Sequence, residues 1–229
     1  MNRDEKWAVI AEQRRVLADL LGGLGPEEWE HPSLCAEWRV KDVAAHVALT
    51  PQSPRLVRIL GMAVRARGDF DAVNRDLAVA HADRRPAEIV AELRDLAESR
   101  RKPAITTLDN LLFDTLVHVQ DIAAPLGRAV VTPLDATLEG AQRVWRMGWP
   151  FWARRRLRGL RLVATDVDWS AGTGAEVRGP IRAMLLLLTG RTEAALPHLG
   201  GPGAERLVAG AWTGRSAPRR RGPVRRVRG

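Results

Sequence analysis

Residues 105–126 read ITTLDNLLFDTLVHVQDIAAPL, and the fold is decided by how this stretch is read. Leu112, Leu116, Val119 and Ile122 recur at helical spacing and make an apolar face. Asp114, His118 and Asp121 stand at i, i+4 and i+7, a polar stripe on the same helix. Inside a helical bundle such a stripe costs stability unless something compensates it. A divalent metal ion is one compensation, because an i, i+4 carboxylate–histidine pair presents both donors to one point. Ordinary hydrogen bonding, each histidine donating to a nearby aspartate, is the other. Spacing alone leaves the two readings even.

Upstream, the apolar periodicity predicts further helices. Residues 3–22 carry Trp7, Ile10, Val16, Leu17, Leu20 and Leu21 at helical spacing, and Gly22, Gly23 and Gly25 stop them. Pro26 with Glu27 and Glu28 opens a short turn, and Trp29 to Trp38 reads as a loop. From Arg39 a helix runs through VKDVAAHVAL until Pro51 and Pro54, with Asp42 and His46 one turn apart on one side. Helical spacing resumes over 55–67, a turn follows at Gly68–Asp71, and helices are predicted at Ala72–His81 and Pro86–Arg101. Long amphipathic helices with short connections predict a mainly α protein built on an up-and-down four-helix bundle.

Past Gly127 the texture changes. One more helix is expected to end near Pro150, with Trp145, Trp149 and Trp152 at i, i+4 and i+7. LRLVATD has strand character, DWSAGTGAEVRGP is turn-rich, and PIRAMLLLLTG is a buried helix ended by Gly190. The expected organisation is a bundle over 1–130, a small α+β C-terminal domain over 131–212, and a disordered arginine-rich tail over 213–229.

Composition excludes several classes. The net charge of +9 suggests a nucleic-acid binder until it is located. The last fifteen residues hold seven arginines and no acid, leaving +2 on the other 214, so the excess is a tail and nucleic-acid binding is not expected of the fold. A second basic cluster, Arg154 to Arg161, reads as an exposed helix end. The longest apolar run, Met184 to Leu188, is far too short for a bilayer, and no basic-then-apolar leader opens the chain; a soluble cytoplasmic protein is expected, with no membrane partner. A single cysteine, Cys35, excludes an internal disulfide and a thiolate-rich zinc site, so any metal must use imidazole, carboxylate and water. His31, His81 and His198 suit exposed or capping roles.

The segment PEEWEHPSLCAEWRVKDVAAHV resembles the first helix–loop–helix of mycothiol-dependent maleylpyruvate isomerase-like proteins, within the DinB-like bundle superfamily. Val40, Asp42 and His46 match that family's Val-x-Asp-x-x-x-His helix. FDTLVHVQDIAAPLGR is similar to its Glu-x-x-x-His-x-x-Asp helix, and TDVDWSAGTGAEVRGPIRAMLLLLTGR to its C-terminal segment ending in Gly-Arg. Three blocks in order make the resemblance specific over most of residues 5–210, with 55–100 matching in pattern only.

The resemblance implies a zinc site on His46, Asp114 and His118, with Asp114 standing where the family commonly has glutamate. It implies supporting roles for Asp42 and Asp121, as acceptors for ligand imidazoles or as helix caps. Mycothiol is the implied cofactor, a small electrophile the implied substrate, and isomerisation or S-transfer the implied reaction; related bundles often dimerise. Arg191 is the implied grip on a substrate carboxylate, weighed evenly against a helix-end arginine. Cys35 reads as a buried small hydrophobe, and Trp38 and Trp169 as core. The competing readings are a non-catalytic, metal-stabilised binding module and, more weakly, nucleic-acid binding through the tail.

Overall fold

The computed structural model describes residues 1–52, 70–104 and 106–209, the first five of the second segment by backbone only. The helical spacing over 55–67, residues 68 and 69 of the expected turn and the arginine-rich tail lie outside the described residues, and the other half of that turn, Phe70 and Asp71, is helical instead.

Capping fixes where the helices begin. In α1 (Arg3–Gly22) the Asn2 side chain accepts from the Glu5 amide at 2.9 Å, and the Glu5 carboxylate accepts from the Asn2 amide at 2.7 Å. The helices that follow are α2 (Pro26–Glu30), α3 (Val40–Leu49), α4 (Phe70–Ala82), α5 (Pro86–Asp95) and α6 (Leu108–Ala123). Asp42 caps α3, taking the Arg39 amide on its carboxylate at 2.9 Å. Thr107 caps α6 through the Asn110 amide at 3.1 Å, which sets the start of that helix at Leu108.

The bundle is a ring of four contacts: α1 packs on α5 and α6, and α3 packs on the same two, with α4 laid against α3. Leu17, Leu21, Trp29, Val43, Val47, Ile89, Leu93, Val119 and Ile122 fill the core of this ring. The helix predicted over Pro86–Arg101 ends at Asp95, six residues early. Buried Arg14 of α1 is the reason: its guanidinium donates to the carbonyls of Leu96, Ala97 and Ser99 at 3.3, 3.2 and 3.0 Å, drawing them away from helical pairing. Burial lowers the Arg14 pKa to about 10.

Then come α7 (Leu134–Arg146), α8 (Ala153–Arg156), β1 (Leu160–Ala164), β2 (Ser170–Gly172), β3 (Ala175–Gly179), α9 (Ile181–Leu188), α10 (Thr192–Ala195) and α11 (Pro202–Val208). The sheet has order β2-β1-β3, with β2 antiparallel and β3 parallel to β1. The turn-rich reading of 168–180 is therefore corrected, since it holds two short strands. They are joined through Gly174, whose φ of +123° and closeness to the Gly159 carbonyl admit no side chain. The tryptophan stripe is corrected too. The chain leaves α7 at Met147, which is extended, so Trp149 and Trp152 lie beyond the helix and are exposed. A residue preceding proline disfavours helical backbone, and Gly148 with Pro150 ends the helix there.

A second core joins α7, β1, β3 and α9 to the N-terminal part of α6, through Leu111, Leu112, Phe113, Leu116 and Val117. The molecule is a four-helix bundle followed by a small α+β segment, with α6 shared by both cores. Among the described residues no helix is long and apolar enough to cross a membrane.

Candidate metal centre

The polar stripe of α6 faces α3 and the loop between α2 and α3. That loop is held by its own turns: the Ser33 hydroxyl donates to the Trp38 carbonyl at 2.9 Å and accepts from the Cys35 amide at 3.1 Å. It is tied to α6 by the Leu34 amide, which donates to the Asp121 carbonyl at 3.1 Å. Trp38 and Cys35 are thereby set against the stripe.

Three of the expected residues converge. Asp114 places one carboxylate oxygen 3.6 Å from His46 Nε2 and the other 3.3 Å from His118 Nε2. One donor atom from each of His46, Asp114 and His118 lies within 4.8 Å of the others. The imidazoles meet edge to face with centroids 4.9 Å apart, and the Trp38 ring lies 5.4 Å from one and 6.4 Å from the other. The Asp114 side chain keeps 39% of its surface exposed, so the cluster opens to solvent on the carboxylate side.

Asp121 sits behind. Its Oδ2 accepts from His118 Nδ1 at 2.9 Å, and its side chain is completely buried. A carboxylate only accepts, so Nδ1 carries the hydrogen and Nε2 is turned toward Asp114 and His46. Arg191 completes the arrangement, donating from Nε to Oδ1 at 2.9 Å and from one terminal nitrogen to Oδ2 at 2.7 Å. The same nitrogen lies 3.2 Å from Cys35 Sγ, and the thiol lies 3.0 Å from Asp121 Oδ2.

Electrostatics follow from this crowding. Burial opposes the charged form of His118, but Asp114 and Asp121 override it and hold the imidazole pKa well above its ordinary 6.5. Crowding opposes the Asp114 charge as well, yet His118 and His46 hold that carboxyl well below its usual range. Asp121 is likewise depressed, with His118 and Arg191 outweighing its burial. Without a metal, the cluster is a protonated imidazole between two carboxylates.

The donor set suits a metal of the zinc type: two neutral imidazoles and a carboxylate. Tetrahedral zinc with ligands at about 2.0–2.1 Å needs donor atoms roughly 3.3–3.4 Å apart; Asp114 meets the two imidazoles at 3.3 and 3.6 Å through different oxygens, so a modest turn of its carboxylate would bring one oxygen to both. Cys35, His118 Nδ1 and Asp121 form a second group of possible ligands. There a guanidinium already stands against both the carboxylate and the sulfur, in place of a cation. The first group is the one suited to a metal.

Other expectations fare unevenly. Asp42 does not reach His46; its carboxylate caps α3 and pairs with the Arg39 guanidinium at 2.9 and 3.0 Å, which is the capping role. Cys35 is no small hydrophobe, since its sulfur lies among polar groups. Trp38 borders the cluster. His81 is neither exposed nor a cap: its Nε2 lies 2.7 Å from Glu92, and both side chains are largely buried. His31 and His198 are exposed.

Residues 10–104 match the family model described as the mycothiol maleylpyruvate isomerase N-terminal domain. No curated protein matches the chain. A crystal structure of the mycothiol-dependent maleylpyruvate isomerase superposes with a TM-score of 0.51 at 14% identity, covering 83% of this chain and 90% of that one. A crystal structure of a histidine-to-alanine mutant of the mycothiol-dependent maleylpyruvate isomerase gives 0.54 at 13% identity, covering 89% and 94%. At such identities the likeness is one of fold.

Proposed function

Residues 10–104 match the mycothiol maleylpyruvate isomerase N-terminal domain, and from that premise we propose that the chain is a member of that family and an enzyme using a small thiol, mycothiol, on a small electrophile at a metal held by His46, Asp114 and His118. The observation that carries this reading is the convergence of the three donor atoms within 4.8 Å, on the side where Asp114 meets solvent.

A zinc ion held there would supply a Lewis-acid position that keeps a thiol ionised near neutral pH. The protein's own residues do the rest. Asp121 keeps the hydrogen of His118 on Nδ1 and its lone pair forward. Trp38 walls one side of the two imidazoles, which excludes water from that flank. Asp42 stiffens the first turn of α3, from which His46 projects.

The reaction class is addition of the thiol sulfur to an electron-poor double bond. A carbon–sulfur bond forms, the former double bond becomes single and rotates, and cleavage of the carbon–sulfur bond returns the thiol with the isomerised alkene. Where the adduct is stable the same first step ends as S-transfer. Cys35, engaged by Asp121 and Arg191, is not required as a nucleophile.

The test is turnover of zinc-loaded protein with mycothiol against conjugated cis-alkenoates and other electrophiles, followed by chromatography and mass spectrometry. Isomerised product or a mycothiol adduct, absent after His46→Ala, is expected. A zinc-loaded wild type that produces neither with any electrophile overturns the catalytic reading in favour of a metal-stabilised binding module.

A further inference from the structure

For Arg191 the resemblance implied a grip on a substrate carboxylate, with a helix-end arginine as the even alternative. We infer instead that Arg191 is a positioning residue: it clamps Asp121, and through Asp121 it aims His118 at the metal. This rests on the metal-centre reading above.

The argument begins with the donors. A guanidinium has five N–H groups, and it holds a carboxylate best through two of them side by side. In Arg191 the Nε and neighbouring terminal N–H, one such pair, are both spent on Asp121, at 2.9 and 2.7 Å. That terminal nitrogen also faces Cys35 Sγ, and the other donates to the Thr189 carbonyl at 2.8 Å. The side chain is 14% exposed. A paired grip on an incoming carboxylate through this edge would strip Asp121 of its counter-charge while Asp121 stays wholly buried. That exchange leaves a buried charge unpaired, which is far costlier than the pair it replaces.

The backbone points the same way. Chain reversal after α9 uses Gly190, with φ of +92°, and the Arg191 amide donates to the Leu186 carbonyl at 2.8 Å. This fixes the root of the arginine against the end of α9, and the Thr189 contact holds its guanidinium from the other terminal nitrogen. The result is a rigid strut from the C-terminal segment to α6. At its far end Asp121 Oδ2 receives Arg191, His118 Nδ1 and the Cys35 thiol together. The orientation of His118 therefore depends on a residue 73 positions further along the chain.

The test compares wild type with Arg191→Gln, Arg191→Lys, Asp121→Asn and the Arg191→Gln/Asp121→Asn double variant. Zinc affinity is measured by competition with a chromophoric chelator, and the His118 Nδ1–H resonance is followed by NMR in the metal-free proteins. Positioning predicts about 10–100-fold weaker zinc binding for each of Arg191→Gln and Asp121→Asn, the usual cost of losing a group behind a ligand. The double variant should be no weaker than the worse single one, because both act through one contact. Arg191→Lys, which keeps the charge but offers one donor nitrogen in place of a paired fork, should recover part of the loss. The Nδ1–H signal, slow to exchange in wild type, should lose its protection in Arg191→Gln. Unchanged zinc affinity and unchanged Nδ1–H protection, with a raised KM for acidic substrates alone, would make Arg191 a substrate grip and overturn the inference. Should Arg191→Gln fail to fold by circular dichroism, Arg191→Lys carries the decision through the same two readouts. A wild type that binds no zinc defeats the metal reading, while the metal-free NMR comparison still decides the role of Arg191.

Discussion

Zinc should raise the melting temperature of the wild-type protein by roughly 8–16 °C, and His118→Ala should abolish nearly all of that gain. The size follows from linkage. Asp114 already lies 3.3 Å from His118 Nε2 through one oxygen and 3.6 Å from His46 Nε2 through the other, so the three groups are gathered before the ion arrives. With free zinc at about a thousand times Kd, linkage gives about 4.1 kcal/mol of stabilisation. For a folded unit of this size each kcal/mol shifts Tm by about 2–4 °C, which sets the range. Removing the His118 imidazole takes away one of three ligands and the group Asp121 exists to orient. If affinity falls a thousandfold, the same zinc stands near its Kd and contributes only about 0.4 kcal/mol, or about 1–2 °C. The assay is scanning calorimetry with and without zinc, paired with elemental analysis of desalted protein. His198→Ala, at an exposed histidine outside the cluster, is the control and should keep the full shift. A wild type that takes up no zinc, or a His118→Ala protein that keeps one equivalent and the full shift, would refute the reasoning.

Two further outcomes are expected. Metal-free protein should lose stability as pH rises from about neutral. The raised His118 pKa gives a contribution complete below pH 6.5 and lost as pH climbs through the folded value, whereas the depressed Asp114 and Asp121 contribute above 3.8 and fail only in strong acid. Urea unfolding with chelator at pH 6 and pH 9 checks this, and greater stability at pH 9 would contradict it; zinc should reverse the trend, because it competes with the His118 proton. Gly174→Ala should destabilise the protein by about 1–3 kcal/mol, since its backbone is in a region reserved for glycine and a Cβ would run into the Gly159 carbonyl. Thermal unfolding measures that loss, and a melting temperature equal to wild type would show that the turn relaxes freely.

The bundle was legible because its helices are long and periodic. The span 3–22 and the Pro26 turn emerge as read, and Asp114, His118 and Asp121 line up because i, i+4 spacing is a local property of a helix, whereas the approach of His46 on another helix was implied by the resemblance alone. What escaped was set by distant partners. The early end of α5 depends on Arg14, about eighty residues earlier. Strands β2 and β3 are three and five residues long and rich in glycine, and only β1 beside them makes them strands. Cys35 and Trp38 belong to a loop whose docking hangs on one amide, Leu34 to the Asp121 carbonyl, with no periodicity to announce it. Arg191 could be named as a functional candidate by resemblance, but its partner could not, because Asp121 lies seventy residues away.

Helix α6 seats Leu112 and Leu116, in its N-terminal part, in one packed interior and Val119 and Ile122, in its C-terminal part, in another. It is a party wall, and Asp114 and His118 are fixed to its face. Repacking at either end tilts the wall, and the distance from these two side chains to His46 on α3 moves with it. Sequence drift in the C-terminal segment can therefore retune the pocket from a distance, leaving every pocket residue unchanged.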